Sequence, residues 1–217
     1  MRKLVVAHRG DHTRARENTA EAFLDAIVCG ADMIEFDVRR TADARLVVHH
    51  DGEIAGRAIA EMEYAQVLQQ APYRVPLLSE ALDLAAGKIQ IDVELKEAGY
   101  EGEVLRQILD HGFHPDDFVI TSFLVDVLTT LGGGARTGLL VEDIAWDDAL
   151  QLYRMSKVNF LAPEHALVRN SPAIPLLPWL VNEEAVLHRL LTMPNVFGVI
   201  TDLPRPALRV RDALTAP

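Results

Sequence analysis

Residues 33–50 read MIEFDVRRTADARLVVHH, and this stretch decides the fold. It contains two β-rich runs, Met33–Val38 and Leu46–His50, separated by a short polar connection. Parallel neighbours in a sheet need a crossover of a dozen or more residues, and this connection is too short to provide one. We therefore predict that the second run folds back antiparallel on the first and turns around residues 42–44.

On both sides of this hairpin, short β-rich runs alternate with amphipathic helical runs. The other predicted strands are Leu4–His8, Lys88–Leu95, Phe118–Phe123, Arg136–Val141, Lys157–Leu161, Ile174–Val181 and Val196–Thr201. The predicted helices are Thr19–Cys29, Ser79–Ala86, 101–111, 124–131, 147–154 and 183–192.

Eight of the predicted strands remain once the antiparallel run is set aside, and helices separate most of them. This pattern predicts a closed (β/α)8 TIM barrel of the α/β class. No linker or internal repeat divides the chain, so we expect one compact domain over residues 1–217. Residues 51–76 are the least regular and suit a lid or a pared-down insertion, so little or no cap is expected.

The composition is that of an ordinary globular protein, with a formal net charge of −11. Lys and Arg are scattered, which argues against a nucleic-acid partner, since such proteins present a basic face. The single cysteine, Cys29, excludes an intrachain disulfide and fits a reducing compartment. Leu4–Ala7 is too short for a signal-peptide core, and no run approaches a membrane span. We expect a cytoplasmic protein whose oligomeric state the sequence leaves open.

Carboxylates collect on two of the predicted strands. Glu35 and Asp37 share one strand face, and Glu94 lies with Asp92 and Lys96 on a face of another strand. In a TIM barrel the carboxyl ends of the strands meet at one mouth, where like charges would repel unless a cation joined them. All-oxygen ligands suit Mg²⁺ or Ca²⁺, so we predict Glu35, Asp37 and Glu94 as ligands of a divalent cation.

Cations and histidines end the same strands. Arg9 and Lys96 suit the binding of a phosphate group, and His8 and His50 suit a general acid–base pair near neutral pH. Each feature alone also has an ordinary structural interpretation, a strand-end histidine or a solvated acidic face. Their convergence favours a metal-dependent phosphodiesterase with a small-molecule phosphodiester substrate.

These motifs resemble, in order, those of the glycerophosphodiester phosphodiesterases. The similar segments are His8-Arg9-Gly10, Glu17-Asn18-Thr19, Glu35-Phe36-Asp37-Val38, His50-Asp51, residues 75–82, Ile91-Asp92-Val93-Glu94-Leu95-Lys96, residues 119–123, residues 178–182 and residues 198–204. The similarity covers nearly the whole chain and is strongest in its first half.

The resemblance implies a (β/α)8 barrel that hydrolyses glycerophosphodiesters to sn-glycerol 3-phosphate and an alcohol with the help of Mg²⁺ or Ca²⁺. It implies the same metal, phosphate and acid–base residues as above. It also places Glu17 beside the site, where it would orient a histidine or cap a helix. Trp179 would pack on the glycerol or alcohol side of the substrate, or in the barrel core.

Two departures bear on the substrate. Arg16 replaces the proline usual before Glu-Asn-Thr, and Gly56–Ile59 stands where relatives have an Arg-Thr-Thr-like turn. With little or no cap in residues 51–76 the site would be less enclosed. The nearest alternative is therefore a lysophospholipase D-like enzyme on the same scaffold. A non-catalytic phosphate-binding barrel is the third possibility, and it is disfavoured because both histidines and all three carboxylates are present.

Overall fold

The computed structural model describes residues 2–168 and 174–215. Its strands are β1 (Leu4–Ala7), β2 (Met33–Arg40), β3 (Leu46–Val48), β4 (Glu53–Ile54), β5 (Arg57–Ala58), β6 (Gln90–Leu95), β7 (Phe118–Ser122), β8 (Arg136–Val141), β9 (Phe160–Pro163) and β10 (Gly198–Thr201). Its helices are α1 (Ala20–Cys29), α2 (Tyr64–Gln70), α3 (Leu78–Ala85), α4 (Glu101–Asp110), α5 (Val125–Thr130), α6 (Trp146–Ser156), α7 (Glu184–Leu191) and α8 (Pro204–Thr215).

A curled parallel sheet in the order β10-β1-β2-β6-β7-β8-β9 forms the wall of the barrel. The extended chain around Leu176 closes it, because Leu176 forms parallel bridges to both Leu161 of β9 and Val196 next to β10. This segment lies within the predicted strand Ile174–Val181 and takes the eighth strand position of the barrel. The predicted (β/α)8 barrel is therefore confirmed.

The predicted hairpin is present. β3 pairs antiparallel with β2, with Val38 opposite Val48 and Arg40 opposite Leu46. One further hydrogen bond, from His49 N to the Asp37 carbonyl at 3.1 Å, carries the pairing to the end of the strand. The following residue, His50, is thereby delivered to the mouth of the barrel.

Residues 51–76 are more regular than the sequence suggested, because β4, β5 and α2 lie within them. Their buried side chains form a separate cluster that includes Ile54, Ile59 and Met62 and packs on Val47 of β3. These elements are short, so the sequence contains too few periods of each to predict them.

Two helix boundaries illustrate how local chemistry shapes the barrel. α1 confirms the helix predicted over Thr19–Cys29: it begins after Thr19, whose hydroxyl caps the Ala22 N–H, and ends at Gly30, which adopts the left-handed conformation. α8 was missed, since its two prolines, Pro204 and Pro206, mask a helix that begins at Pro204. Among the described residues no helix combines the length and apolarity needed to cross a bilayer.

Candidate active site

A cavity of about 260 Å³ opens at the carboxyl ends of the strands. It gathers six of the nine residues singled out from the sequence: His8, Arg9, His50, Glu94, Lys96 and Trp179. Phe123, Leu140, Glu142 and Ile200 complete its lining. The strands that end here are distant in sequence, so the cavity exists only because the barrel closes.

The three predicted metal ligands come together beside this cavity. Asp37 of β2 lies opposite Glu94 of β6 in the parallel register, and Glu35 precedes Asp37 by two residues on the same face. Each offers an oxygen, and these oxygens all lie within 4.8 Å of one another. The residues are only 3%, 0% and 7% exposed for Glu35, Asp37 and Glu94. We call these three residues the carboxylate triad.

Two cations partly neutralise the carboxylate triad. The ammonium of Lys96 lies 2.9 Å from Asp37 Oδ1 and donates to Glu94 Oε1 at 2.6 Å. The Arg9 guanidinium lies 3.1 Å from Asp37 Oδ2. Three carboxylates against two cations leave a negative excess, and Glu35 Oε1 is buried without a hydrogen-bond partner among the described residues. Such a donor set fits a hard divalent cation.

The protonation of the carboxylate triad reflects this imbalance. Burial and the neighbouring carboxylates raise the pKa of Glu35 well above its usual range, and burial raises that of Glu94 to about 7 despite Lys96. Burial acts on Asp37 as well, but Lys96 and Arg9 outweigh it and lower the pKa of Asp37 to about 2. Without a further cation the triad therefore retains protons, and a metal ion would compete with these protons for the carboxylate oxygens.

Asp92 is a fourth buried carboxyl on the same barrel face, opposite Glu35 in the register of β2 and β6. The Thr121 hydroxyl donates to its Oδ1 at 2.7 Å, while its Oδ2 is buried without a hydrogen-bond partner among the described residues. Burial raises the pKa of Asp92 to about 8. The sequence placed Asp92 on this face but gave it no role.

We expect Asp92→Asn to stabilise the metal-free protein increasingly as the pH rises from about 4 to about 8. An acid whose pKa is raised in the folded state takes up a proton on folding. The cost of this protonation to the free energy of folding is absent below the unfolded pKa of about 4 and is complete near the folded pKa. Thermal unfolding in EDTA at pH 5 and pH 8 measures this. A difference in Tm between variant and wild type that does not grow with pH would contradict the buried, protonated state of Asp92.

His8 is fixed by the last strand of the barrel. Its Nδ1 lies 2.7 Å from Asp202 Oδ1, and Asn182 donates to the other oxygen of Asp202 at 2.7 Å. Burial raises the pKa of Asp202, but hydrogen bonds from His12, His8 and Asn182 more than offset this and lower it overall. An ionised carboxylate only accepts, so Nδ1 of His8 carries the proton and Nε2 is free toward Glu35, 3.9 Å away. Burial lowers the pKa of His8 itself.

His50 has a matching arrangement on a more open surface. Its Nδ1 lies 2.8 Å from Asp51 Oδ1, and its carbonyl accepts from Arg39 Nε at 2.8 Å. Arg39 is itself paired with Glu97. The hairpin and this pairing hold the His50 backbone, while its imidazole remains partly exposed at the cavity.

The loop after β1 positions Arg9. Arg9 has φ +52° and Gly10 has φ +87°, and a Cβ at Gly10 would lie 2.7 Å from Ala22. This turn lets the Arg9 N–H donate to Glu35 Oε2 at 2.9 Å while its side chain donates to Glu17 Oε1 at 2.9 Å. Among the described residues, Glu17 therefore has its hydrogen bond with Arg9.

Several residues of the site were not assigned from the sequence. Asn18 donates to Asp37 Oδ2 at 2.7 Å, and His12 lies 3.1 Å from Asp202 Oδ1. Asp202 had a detectable signal: it directly follows β10, just as His8 directly follows β1, and the two strands pair. The strand-end argument applied to β10 would have found it.

Trp179 lies at the wall of the cavity. Its indole N–H donates to the Ala162 carbonyl at 2.8 Å, which fixes the ring, and Phe123 packs edge-on against it with centroids 5.7 Å apart. Both aromatic rings line the same cavity as the histidines. Trp179 thus occupies the cavity wall rather than the interior of the core.

Three buried carboxylates, two cationic side chains and two histidines share one mouth of the barrel, a combination that suits a hydrolase of phosphate diesters. The model of the Glycerophosphoryl diester phosphodiesterase family matches residues 8–205. The chain belongs to this family, and the predicted class, a phosphoric diester hydrolase, is confirmed.

Known relatives agree over nearly full length. A glycerophosphodiester phosphodiesterase of Caldanaerobacter subterraneus subsp. tengcongensis is 30% identical, with 97% of this chain and 98% of the relative covered. A glycerophosphodiester phosphodiesterase structure from Parabacteroides distasonis covers 100% of both chains at 20% identity with a TM-score of 0.84. An Oleispira antarctica phosphodiesterase, solved with the product sn-glycerol-3-phosphate, covers 97% of both chains at 20% identity with a TM-score of 0.80. The two structures support the fold.

Proposed function

We propose that the protein hydrolyses glycerophosphodiesters to sn-glycerol 3-phosphate and an alcohol in a metal-dependent, two-histidine reaction. The observation that carries the proposal is the carboxylate triad beside His8 and His50 at one cavity. The product bound by the Oleispira antarctica relative supports the same substrate class.

The geometry of the cavity supports a role for each residue. A divalent cation, Mg²⁺ or Ca²⁺, held by the carboxylate triad would polarise the phosphoryl oxygens of the substrate. Arg9 and Lys96 bind the phosphate, Arg9 as a fork and Lys96 as a point charge, since both already face the cavity. Glu17 holds the Arg9 guanidinium in place.

The histidines move the protons. Each has its Nδ1 on a carboxylate, Asp202 for His8 and Asp51 for His50, so each presents Nε2 to the reaction. One histidine removes the proton from the attacking oxygen, and the other gives a proton to the departing alkoxide.

We expect purified protein to release sn-glycerol 3-phosphate from glycerophosphocholine with Mg²⁺ or Ca²⁺, and EDTA to abolish this activity. Excess cation should restore it, because the folded barrel remains once the metal is removed. The assay quantifies sn-glycerol 3-phosphate enzymatically over a titration of each cation. Activity that is indifferent to EDTA would disprove the metal requirement, and no product from any glycerophosphodiester would disprove the function.

A lysophospholipase D-like activity is the second candidate, and one observation favours it. Phe123, which lines the cavity, is 39% exposed, and this gives the cavity an apolar edge suited to an acyl chain. Faster release of choline from lysophosphatidylcholine than from glycerophosphocholine would establish this alternative.

A further inference from the structure

Glu142 is an exposed carboxylate at the active-site cavity that the reaction does not use. It follows β8, and strand alternation puts it on the same face as Leu140, which also lines the cavity. Among residues 2–168 and 174–215 its side chain forms no hydrogen bond or ion pair with another residue. It differs in this from Glu94, which Lys96 neutralises.

Glu142 lies at the same level of the barrel as the aromatic pair. Val141 is opposite Pro163 in the register of β8 and β9, and Trp179 N donates to the Pro163 carbonyl at 3.0 Å. Trp179 is also bridged to Glu164, the residue after Pro163, so Glu142, the residue after Val141, lies level with Trp179. Phe123 completes the group, because it packs on Trp179.

The two aromatic rings form a corner. Their planes lie at 88° to each other, and the indole N–H is occupied by a backbone carbonyl. Neither ring therefore offers a free polar atom, and both line the cavity with aromatic surface. Two such surfaces suit a quaternary ammonium group, which is attracted to aromatic faces and requires no hydrogen-bond acceptor.

The distribution of charge in the cavity also favours a cationic leaving group. Arg9 and Lys96 lie at the phosphate end, so a substrate's anionic group has its place there. At the other wall a neutral alcohol would gain at most a hydrogen bond to the Glu142 carboxylate, and an anionic one would be repelled. A cationic alcohol gains from both the carboxylate and the rings.

We propose that Phe123, Glu142 and Trp179 form a head-group subsite that selects diesters of quaternary-ammonium alcohols. This inference rests on the proposed function and specifies its leaving group. The substrate would lie with its phosphate on Arg9 and Lys96 and its cationic alcohol between the aromatic corner and Glu142.

The test compares glycerophosphocholine with the 3,3-dimethylbutyl ester of glycerol phosphate, which has the same shape without the positive charge. Wild type should prefer the charged ester by about tenfold or more in kcat/KM. Glu142→Gln should lose most of that preference by slowing the charged ester alone, while Glu21→Gln, an exposed carboxylate on α1, should keep it. Equal rates for the two esters in wild type, or an equal loss on both in Glu142→Gln, would overturn the subsite.

A binding measurement tests the head-group subsite independently of hydrolysis. In a Trp146→Phe background Trp179 is the remaining tryptophan, so choline binding should change its fluorescence, and Glu142→Gln should weaken that binding by about tenfold or more. Choline binding by a protein that hydrolyses neither ester would retain the subsite and reject the proposed function. Absence of choline binding in wild type would reject the subsite even if both esters are hydrolysed.

Discussion

Replacing His8 with alanine is expected to lower kcat by about 10²- to 10⁴-fold and to leave KM within a few-fold. His8 lies deep in the site, with Nδ1 fixed by Asp202 and Nε2 directed toward the carboxylate triad. Removing the imidazole would remove the proposed proton transfer and leave in place Arg9 and Lys96, the residues proposed to bind the phosphate. Steady-state kinetics on glycerophosphocholine at saturating Mg²⁺ or Ca²⁺ measure the effect.

His50→Ala should produce a loss of the same order, because the two proton transfers occur in one reaction. His114→Ala is the matched control: its imidazole is largely exposed and lies far along the chain from both motifs. Activity of either His8→Ala or His50→Ala that equals wild type would refute the acid–base pair. Unchanged circular dichroism and Tm would show that the loss is chemical.

A diester of p-nitrophenol separates the two roles. Its leaving group departs without a proton, so loss of the general acid should cost little on this substrate, while loss of the general base should remain costly. The geometry allows either assignment, since both histidines present Nε2 and hold Nδ1 on a carboxylate. The histidine whose alanine variant regains activity on the p-nitrophenyl diester is therefore the general acid.

The barrel and the core of its site could be predicted because they depend on local signals. Loop length alone gave the β2–β3 hairpin and the placement of His50, and strand alternation gave the shared face of Glu35 and Asp37. Each signal is contained within a few consecutive residues. The same reasoning failed for α8, where the prolines obscured the helix.

The remaining parts of the site depend on contacts between distant segments. Asp202 reaches His8 across 194 residues, and Asn182 reaches Asp202 across 20. The aromatic corner exists because the chain around Trp179 closes the barrel beside β9. No sequence period encodes which strand ends meet, so these contacts become visible only when the barrel is closed.

Glu35→Gln is expected to lower metal-dependent activity at least about a hundredfold and, in the same protein, to raise the Tm measured in EDTA at pH 8 by about 2–4 °C for each kcal/mol gained. Glu35 would lose its place as a metal ligand. Its amide would still accept from the Arg9 N–H and could donate to the acidic neighbours that surround its unpartnered oxygen.

The pH dependence of this stabilisation has a definite sign. The folded pKa of Glu35 is raised by burial and by the carboxylates beside it, so the charge penalises folding only above the unfolded pKa of about 4.3. Glutamine should therefore give little stabilisation at pH 4 and increasing stabilisation toward pH 8. Added Mg²⁺ or Ca²⁺ should raise the Tm of wild type and leave that of Glu35→Gln nearly unchanged.

Asp92→Asn is the matched control, because Asp92 lies opposite Glu35 in the register and is equally buried. Both variants should stabilise the metal-free protein at pH 8, but only Glu35→Gln should lose the activity and the stabilisation by metal. If the carboxylate triad were a structural ion-pair network, Glu35→Gln would instead lower the Tm, since it would break a satisfied cluster. A variant that is more stable and inactive thus identifies Glu35 as a group kept for the metal at the expense of the fold.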